Sequence, residues 1–139
     1  MRKCWILILP MLLLACGHKA PPQVASGSDV PPPRIVELHH ELSGPALKLE
    51  FVLQGDPAGV GYQIDRAEID PYCHCPGMWQ RYYEQPPFAK QVGEHITKLL
   101  NLRVLDQEFL FRIRAIDAAG RFGPWSEPIR AKAVDLMRD

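Results

Sequence analysis

The sequence predicts an all-β protein in which two sheets pack as a sandwich. The clearest observation is the run 109–116, where Phe109, Phe111, Ile113 and Ala115 alternate with Leu110, Arg112, Arg114 and Ile116. A period of two residues is typical of a half-buried strand. A second such run covers Ala46–Leu53, and glycine and proline residues separate the runs. Because strand patterns alternate with turn signals and no helical period follows residue 30, we expect an all-β sandwich.

The N-terminus reads as an export signal. Arg2 and Lys3 form a basic start, and the apolar run Trp5–Leu14 follows. That run is shorter than the roughly 20 residues that a membrane-spanning helix needs. Residues 13–16, Leu-Leu-Ala-Cys, resemble the lipobox of bacterial lipoproteins. We therefore predict a lipoprotein signal peptide at residues 1–15, the alternative being an ordinary signal peptide with a chance cysteine.

The lipobox resemblance implies an acylated N-terminus. Cleavage would fall before Cys16, whose sulfur would carry a diacylglyceryl group and whose amino group would carry an acyl chain such as palmitate. Several acyl chains hold a protein in the lipid bilayer far better than one, at about 0.8 kcal/mol per buried CH₂. By resemblance to the enterobacterial sorting rule, Gly17 after the cysteine predicts the outer membrane, with the domain facing the periplasm.

The charge balance of the mature chain argues against nucleic-acid binding. Removal of residues 1–15 takes away Arg2 and Lys3, two of the 16 basic residues, and leaves 14 against 16 acidic residues. No basic stripe remains for a phosphate backbone. No nucleophile–base pair or paired-carboxylate motif stands out either. We therefore expect a protein that is not an enzyme, with no cofactor and no small-molecule substrate.

A tether follows the predicted acylation site. We assign residues 16–30 to a lipidated, Pro-rich tether, because the stretch 17–33 contains five prolines and little that could build a core. Residues 15–22 also resemble the attachment segment of small proteobacterial lipoproteins, with Ala20 in place of a glycine. Some members of that group assist the assembly of outer-membrane complexes, so this resemblance adds a candidate role.

The predicted domain spans residues 31–134, and residues 135–139 form a C-terminal tail. Turn clusters such as 54–59, Gln-Gly-Asp-Pro-Ala-Gly, separate its strands. Residues 70–92 read as an irregular, aromatic-rich segment. The predicted strands are Arg34–Leu42, Ala46–Leu53, Val60–Ile69, His95–Leu102, Phe109–Ala115 and Ile129–Val134.

Three segments resemble a fibronectin type III domain. Residues 61–64, Gly-Tyr-Gln-Ile, match the pattern of its third strand, and residues 111–117 followed by Gly120 match its sixth strand and turn. Phe51 stands where that family has a tryptophan, and Phe109 where it has a tyrosine whose hydroxyl fixes a corner. The resemblance implies a seven-stranded fibronectin type III/immunoglobulin-like sandwich. Such domains bind or space other proteins, so the fold alone implies no activity.

Cys73-His74-Cys75 is the motif with the clearest potential for chemistry, because Cys4 would leave with the signal peptide and Cys16 would be acylated. Export to an oxidising compartment favours a Cys73–Cys75 disulfide. A bridge needs Cα atoms roughly 4.4–6.8 Å apart, so the chain would have to bend at His74. The alternatives are unpaired or intermolecular thiols, and a soft-metal or redox site that uses the two thiolates and His74.

Two aromatic groups complete the candidate sites. The segment 72–88 is rich in the side chains typical of interface cores, so it predicts a partner-binding surface. Its alternative role is a lid over a small core. The five residues are Tyr72, Trp79, Tyr82, Tyr83 and Phe88.

The pair Trp125-Ser126 resembles half of the Trp-Ser-x-Trp-Ser box of cytokine-receptor fibronectin domains. This resemblance implies a structural cation–π contact between Trp125 and Arg112 or Arg114.

The sequence therefore predicts a lipid-anchored protein of the bacterial cell envelope that binds or supports another envelope protein without catalysis. The alternatives are a metal-binding or redox accessory protein that uses Cys73, His74 and Cys75, and an accessory to outer-membrane complex assembly.

Overall fold

The computed structural model describes residues 29–133, and these residues are almost entirely strands and turns. The signal peptide (1–15), the acylation site Cys16, most of the tether (16–30) and the tail (135–139) lie outside the described residues. One turn of 3-10 helix, Ala89–Gln91, interrupts the strands. The seven strands are β1 (Arg34–Ser43), β2 (Ala46–Gln54), β3 (Val60–Glu68), β4 (Gln80–Phe88), β5 (His95–Asn101), β6 (Glu108–Asp117) and β7 (Ile129–Lys132).

The strands form two antiparallel sheets. The smaller sheet has the order β1-β2-β5, and the larger has the order β4-β3-β6-β7. The apolar faces of both sheets meet in one core, as the alternation in the sequence predicts. The prediction of an all-β sandwich is confirmed, and the seven-stranded arrangement is consistent with an immunoglobulin-like or fibronectin type III-like fold.

The core is built from alternate residues of the three central strands, β2, β3 and β6. Phe51 of β2 meets Tyr62 of β3 edge-on, with ring centroids 5.0 Å apart. On β6, every second side chain is buried, so Phe111 and Ile113 face the core, as the period of two residues in this run indicates. The largest buried side chains of the core are Leu47, Leu49, Phe51, Leu53, Ile64, Leu100, Leu102, Phe109, Phe111 and Ile113.

The interpretation of residues 70–92 as irregular is wrong for their second half. Gln80–Phe88 forms β4, an edge strand that pairs with β3. Its register with β3 shifts twice. At the first shift Tyr83 pairs with Ile64 and Arg81 with Asp65, so Tyr82 is an extra bulge residue. A bulge of this kind breaks the alternation that identifies a strand in a sequence.

The second shift of β4 lies opposite Gly61. A Cβ atom at this position would come within 2.6 Å of the Pro86 carbonyl carbon and 2.7 Å of the Pro87 nitrogen. Only glycine lets the two prolines cross so close to β3. Pro86 and Pro87 are tolerated because β4 is an edge strand, where a missing N–H donor does not interrupt the sheet.

Candidate functional site

The segment between β3 and β4, residues 69–79, is a loop that we call the Cys loop. Its backbone closes on itself: the Asp70 N–H donates to the Cys75 carbonyl at 3.0 Å, and the His74 N–H donates to the Asp70 carbonyl at 2.9 Å. At the far end, the Gly77 N–H donates to the Glu68 carbonyl at 2.8 Å. The loop therefore keeps a defined shape although nearly all of its side chains are exposed.

The Asp70 side chain is the main polar support of the Cys loop. Its Oδ1 atom accepts the N–H of Tyr72 at 2.8 Å and that of Cys73 at 3.1 Å. These two hydrogen bonds hold the pKa of Asp70 below its ordinary value, with the Tyr72 bond as the larger cause. An ionised carboxylate that accepts two backbone donors stabilises a tight turn.

The two cysteines of the loop lie at disulfide distance from each other. Their Cα atoms are 5.2 Å apart, within the range that a bridge requires. His74 supplies the bend that the sequence analysis required, because its φ of 54° lies in the left-handed region. The Cys75 N–H also points at the Cys73 Sγ atom, 3.2 Å away. Both cysteines and His74 are exposed.

No arrangement of three or more His, Cys, Asp or Glu side chains suited to a metal ion is present among residues 29–133. In particular, the structure directs the sulfur atoms of Cys73 and Cys75 towards each other. Zinc in proteins normally takes four ligands, so the described loop offers too few.

The five aromatic residues of the predicted partner surface do not lie together. Tyr72, in the Cys loop, has 93% of its surface exposed, and Met78 of the same loop has 83%. Tyr82 and Tyr83 are half-buried and pack against the core. Phe88 is 52% exposed, at the opposite end of β4 from the loop. Trp79, the fifth, lies against Arg112 on the outer face of the larger sheet. Only Tyr72 therefore offers a fully exposed ring at the loop.

The outer face of the larger sheet carries a stack of aromatic rings and guanidinium groups. The Arg112 guanidinium lies 4.2 Å from the Trp125 ring centroid, and that of Arg114 lies 4.3 Å from it. The stack extends at both ends, to Trp79 beside Arg112 at 4.3 Å and to Phe122 beside Arg114 at 3.9 Å. The structure thus brings Arg112, Arg114 and Trp125 together, and adds Trp79 and Phe122, whose places in the stack the sequence pattern does not predict.

A buried carboxylate fixes one end of this stack. Asp65 on β3 is 6% exposed and forms ion pairs with Arg81 at 2.7 Å and Arg112 at 3.1 Å. Nearby, Gln63 accepts a hydrogen bond from the Arg114 Nε atom at 3.0 Å. Charged side chains that form ion pairs and hydrogen bonds in this way orient one another. The stack is thus a structural element, and its aromatic faces are covered by cations of the same sheet.

The corner where the sequence has Phe109 lacks a tyrosine hydroxyl and is held differently. The Arg66 guanidinium lies 4.8 Å from the Phe109 ring centroid and 5.2 Å from that of Tyr82. Gln107 adds a hydrogen bond from its Nε2 atom to the Ile69 carbonyl at 2.9 Å. A cation–π contact and a side-chain amide therefore occupy the corner.

The described residues contain no helix long and apolar enough to cross a membrane. Comparison with known proteins adds no assignment, because no protein-family model matches the chain and a search of curated proteins gives no significant match.

Proposed function

We propose that the protein is a lipid-anchored component of the bacterial envelope whose sandwich domain binds another envelope protein through the Cys loop. The proposal has two parts, the anchor at Cys16 and the binding surface at the loop. It assigns the protein no catalytic role and no cofactor. The anchor would place the domain at the inner surface of the outer membrane, in the periplasm.

The observation that supports the binding surface is the combination of a hydrogen-bonded backbone and exposed side chains in the Cys loop. Large apolar side chains are usually buried, yet Tyr72 and Met78 are 93% and 83% exposed. The backbone that carries them is fixed by the Asp70 hydrogen bonds and the cysteine pair. Tyrosine and methionine are enriched in protein interfaces, and a preformed loop loses less entropy on binding.

The sheet order supports the fibronectin type III-like version of the fold. In constant-type immunoglobulin domains the fourth strand joins the sheet of the first, second and fifth strands. Here β4 pairs with β3 in the other sheet. Domains of this kind commonly carry recognition in the loops at their ends, and the Cys loop is such a loop.

The anchor is tested by the substitution Cys16→Ser, which removes the sulfur that would be acylated. We expect the variant protein to remain unprocessed or to be released from membranes, because acyl chains are what would hold it there. Membrane fractionation and intact-protein mass spectrometry measure both outcomes. Cys73→Ser is the matched control, since it removes a different cysteine. Normal processing and membrane retention of the Cys16→Ser protein would disprove the anchor.

The loop surface is tested by replacing both Cys73 and Cys75 with serine. We expect the melting temperature to stay within a few degrees of the wild type, because a very short closed ring removes little entropy from the unfolded chain. The affinity for an envelope partner identified by cross-linking should fall, because the loop that presents Tyr72 loses the Cys73–Cys75 pair. The variant Tyr72→Ser should weaken the same binding, whereas Leu42→Ser on β1 should not. Equal binding by all of these variants would contradict the loop assignment.

A second candidate function is metal binding or thiol exchange at the same loop. It is supported by the exposure of Cys73, His74 and Cys75 and by the N–H of Cys75 beside the Cys73 sulfur. A thiolate at Cys73 would receive that hydrogen bond. Alkylation of protein taken directly from the envelope, with and without reductant and added copper, separates the candidates. Two free thiols in the untreated protein would favour the metal site.

The role in outer-membrane complex assembly depends on residues 15–22, which lie outside the described residues. Cross-linking of the full-length protein in its own membranes tests it. Recovery of an outer-membrane complex would support this role, and the absence of such a complex would leave the general binding role as the better proposal.

A further inference from the structure

Among residues 29–133, β5 is an edge strand: it pairs with β2 on one side and with no other described strand on its second side. Its pairing with β2 runs without a register shift from His95 to Asn101. The other edges of the described domain carry features that discourage strand pairing. The strand β1 has a bulge with Glu37 at a φ of 54°, β4 contains Pro86 and Pro87, and β7 is only four residues long. None of these features occurs in β5.

The backbone groups that face this open edge can be identified. The N–H of Leu102 donates to the Pro45 carbonyl at 2.8 Å, in the same register as the β2–β5 pairing. Hydrogen-bonding direction alternates along an antiparallel strand, so Leu100 and Lys98 face β2, and Leu99 and Thr97 face away from it. The Asn101 carbonyl, in the outward set, accepts the Tyr82 hydroxyl at 3.1 Å, which agrees with this alternation.

A groove of about 560 Å³ lies next to this edge, between β5 and β4. Its apolar lining includes Tyr82, Tyr83, Leu102 and Phe109. Near the rim, Leu99 and Val104 are 65% and 53% exposed. An exposed apolar rim beside unpaired backbone groups is a feature of sites that take an extended peptide.

The charges of the groove are mainly positive. Of the described residues that line it, Arg66, Lys98 and Arg103 are basic and Glu68 alone is acidic. Arg66 and Glu68 form a long ion pair of 3.8 Å, which leaves Lys98 and Arg103 in excess. The Lys98 ammonium lies 3.3 Å from the centroid of the Tyr83 ring, and both side chains line the groove. A partner that carries carboxylates would be complementary to this site.

We propose that the edge of β5 binds an acidic, extended segment of a partner polypeptide by strand addition. The added strand pairs with the outward N–H and C=O groups of Thr97 and Leu99 and makes the smaller sheet four-stranded. Its carboxylates lie on the groove side, near Lys98 and Arg103. Its apolar side chains point to the opposite face of the added strand and cover Leu99, which alternates with Lys98 along β5. This surface is separate from the Cys loop and does not depend on the anchor at Cys16.

The test uses the full-length chain in detergent and a fluorescent peptide in which valine and glutamate alternate. We expect saturable binding by fluorescence polarisation, at least tenfold weaker for the matched peptide with lysine in place of glutamate. Leu99→Pro removes an outward N–H and leaves the bonds to β2 in place, so it should weaken binding by tenfold or more. Leu99→Ala keeps the N–H and is the control, with an expected loss of less than about threefold.

Hydrogen exchange of the wild-type protein supplies a second measurement that needs no variant. The amides of Thr97 and Leu99 should exchange fast in the free protein and slowly with the glutamate peptide present. Lack of binding by that peptide, or unchanged exchange at these two amides, would overturn the proposal. So would concentration-dependent self-association that Leu99→Pro abolishes, since it would assign the edge to a second copy. Binding through Tyr72 is measured with other variants, so failure here leaves the proposed function intact.

Discussion

The sandwich and the Cys loop are stabilised by different forces. The sandwich buries an apolar core in which Phe51, Phe109 and Phe111 are each 1% exposed, and it adds the ring–guanidinium stack on its outer face. Apart from Ile69 and the partly buried Trp79, the side chains of the Cys loop are exposed. The loop is held by backbone hydrogen bonds, the Asp70 carboxylate and the cysteine pair. Burial is insensitive to pH and redox conditions, whereas a carboxylate and two thiols respond to both.

This difference means that the loop can change its state while the sandwich stays folded. Local free energies of opening vary across a structure and are lowest where few apolar contacts exist. A change in the loop should therefore appear in local measurements and leave the global unfolding transition unchanged.

The substitution Phe111→Ala should destabilise the sandwich by about 3–5 kcal/mol, because it removes a fully buried ring and leaves a cavity. Denaturant unfolding measures this change. Arg114→Ala, on the opposite face of β6, is the comparison. It should lower the free energy of unfolding by clearly less, since the Arg114 contacts are on the outer face of the sheet. Equal losses for the two variants would mean that the outer stack contributes as much stability as the core.

The substitution Trp125→Ala should have an intermediate effect on the sandwich. It removes two cation–π contacts, each worth about 0.5–1 kcal/mol at a partly exposed site, so we expect a loss of about 1–2 kcal/mol. The neighbouring Ser126 should keep this segment against β6, because its N–H donates to the Ile113 carbonyl at 2.8 Å. Trp125→Phe should recover part of the loss. A Trp125→Ala protein as stable as the wild type would show that the stack does not contribute to the stability of the sandwich.

Acid should loosen the Cys loop before it affects the sandwich. The pKa of Asp70 is lowered in the folded protein, so its contribution is complete above the ordinary value of 3.8 and is lost as the pH falls through the folded value. The amides of Tyr72 and Cys73 report this change by NMR. Asp70→Asn should show the loosened loop at neutral pH with an unchanged melting temperature. Amides of Tyr72 and Cys73 that stay insensitive to acid in the wild type would contradict the role of the carboxylate.

The parts of the fold that follow simple alternation were predictable from the sequence. Strand β6 alternates without a break, so its position, its inward face and the outward side of Arg112 were all clear. The neighbourhood of Trp125 could also be inferred, because Arg112 and Arg114 are two residues apart on one strand and share a face.

The parts that depend on an irregular register were not predictable. Strand β4 contains two adjacent tyrosines and two adjacent prolines, which hide its period of two, and only the pairing with β3 shows that Tyr82 is a bulge residue. The addition of Trp79 to the stack depends on that same pairing. The open edge of β5 was equally hidden, because a strand's place within a sheet is a property of the assembled sheet.

The N-terminal end of the domain is attached to the segment between β6 and β7, and this attachment determines where a mechanical force on the chain acts first. Before β1 begins, Arg121 donates a hydrogen bond to the Val30 carbonyl at 3.1 Å, and a Cβ atom at Gly123 would collide with the Pro33 carbonyl. Arg121 is itself held by the buried Asp117 carboxylate at 2.6 Å. A pull on the chain ahead of residue 30 is therefore transmitted to the segment between β6 and β7 before it reaches the β1–β2 pairing. The contacts that bear this tension first are the Val30–Arg121 hydrogen bond and the Arg121–Asp117 ion pair.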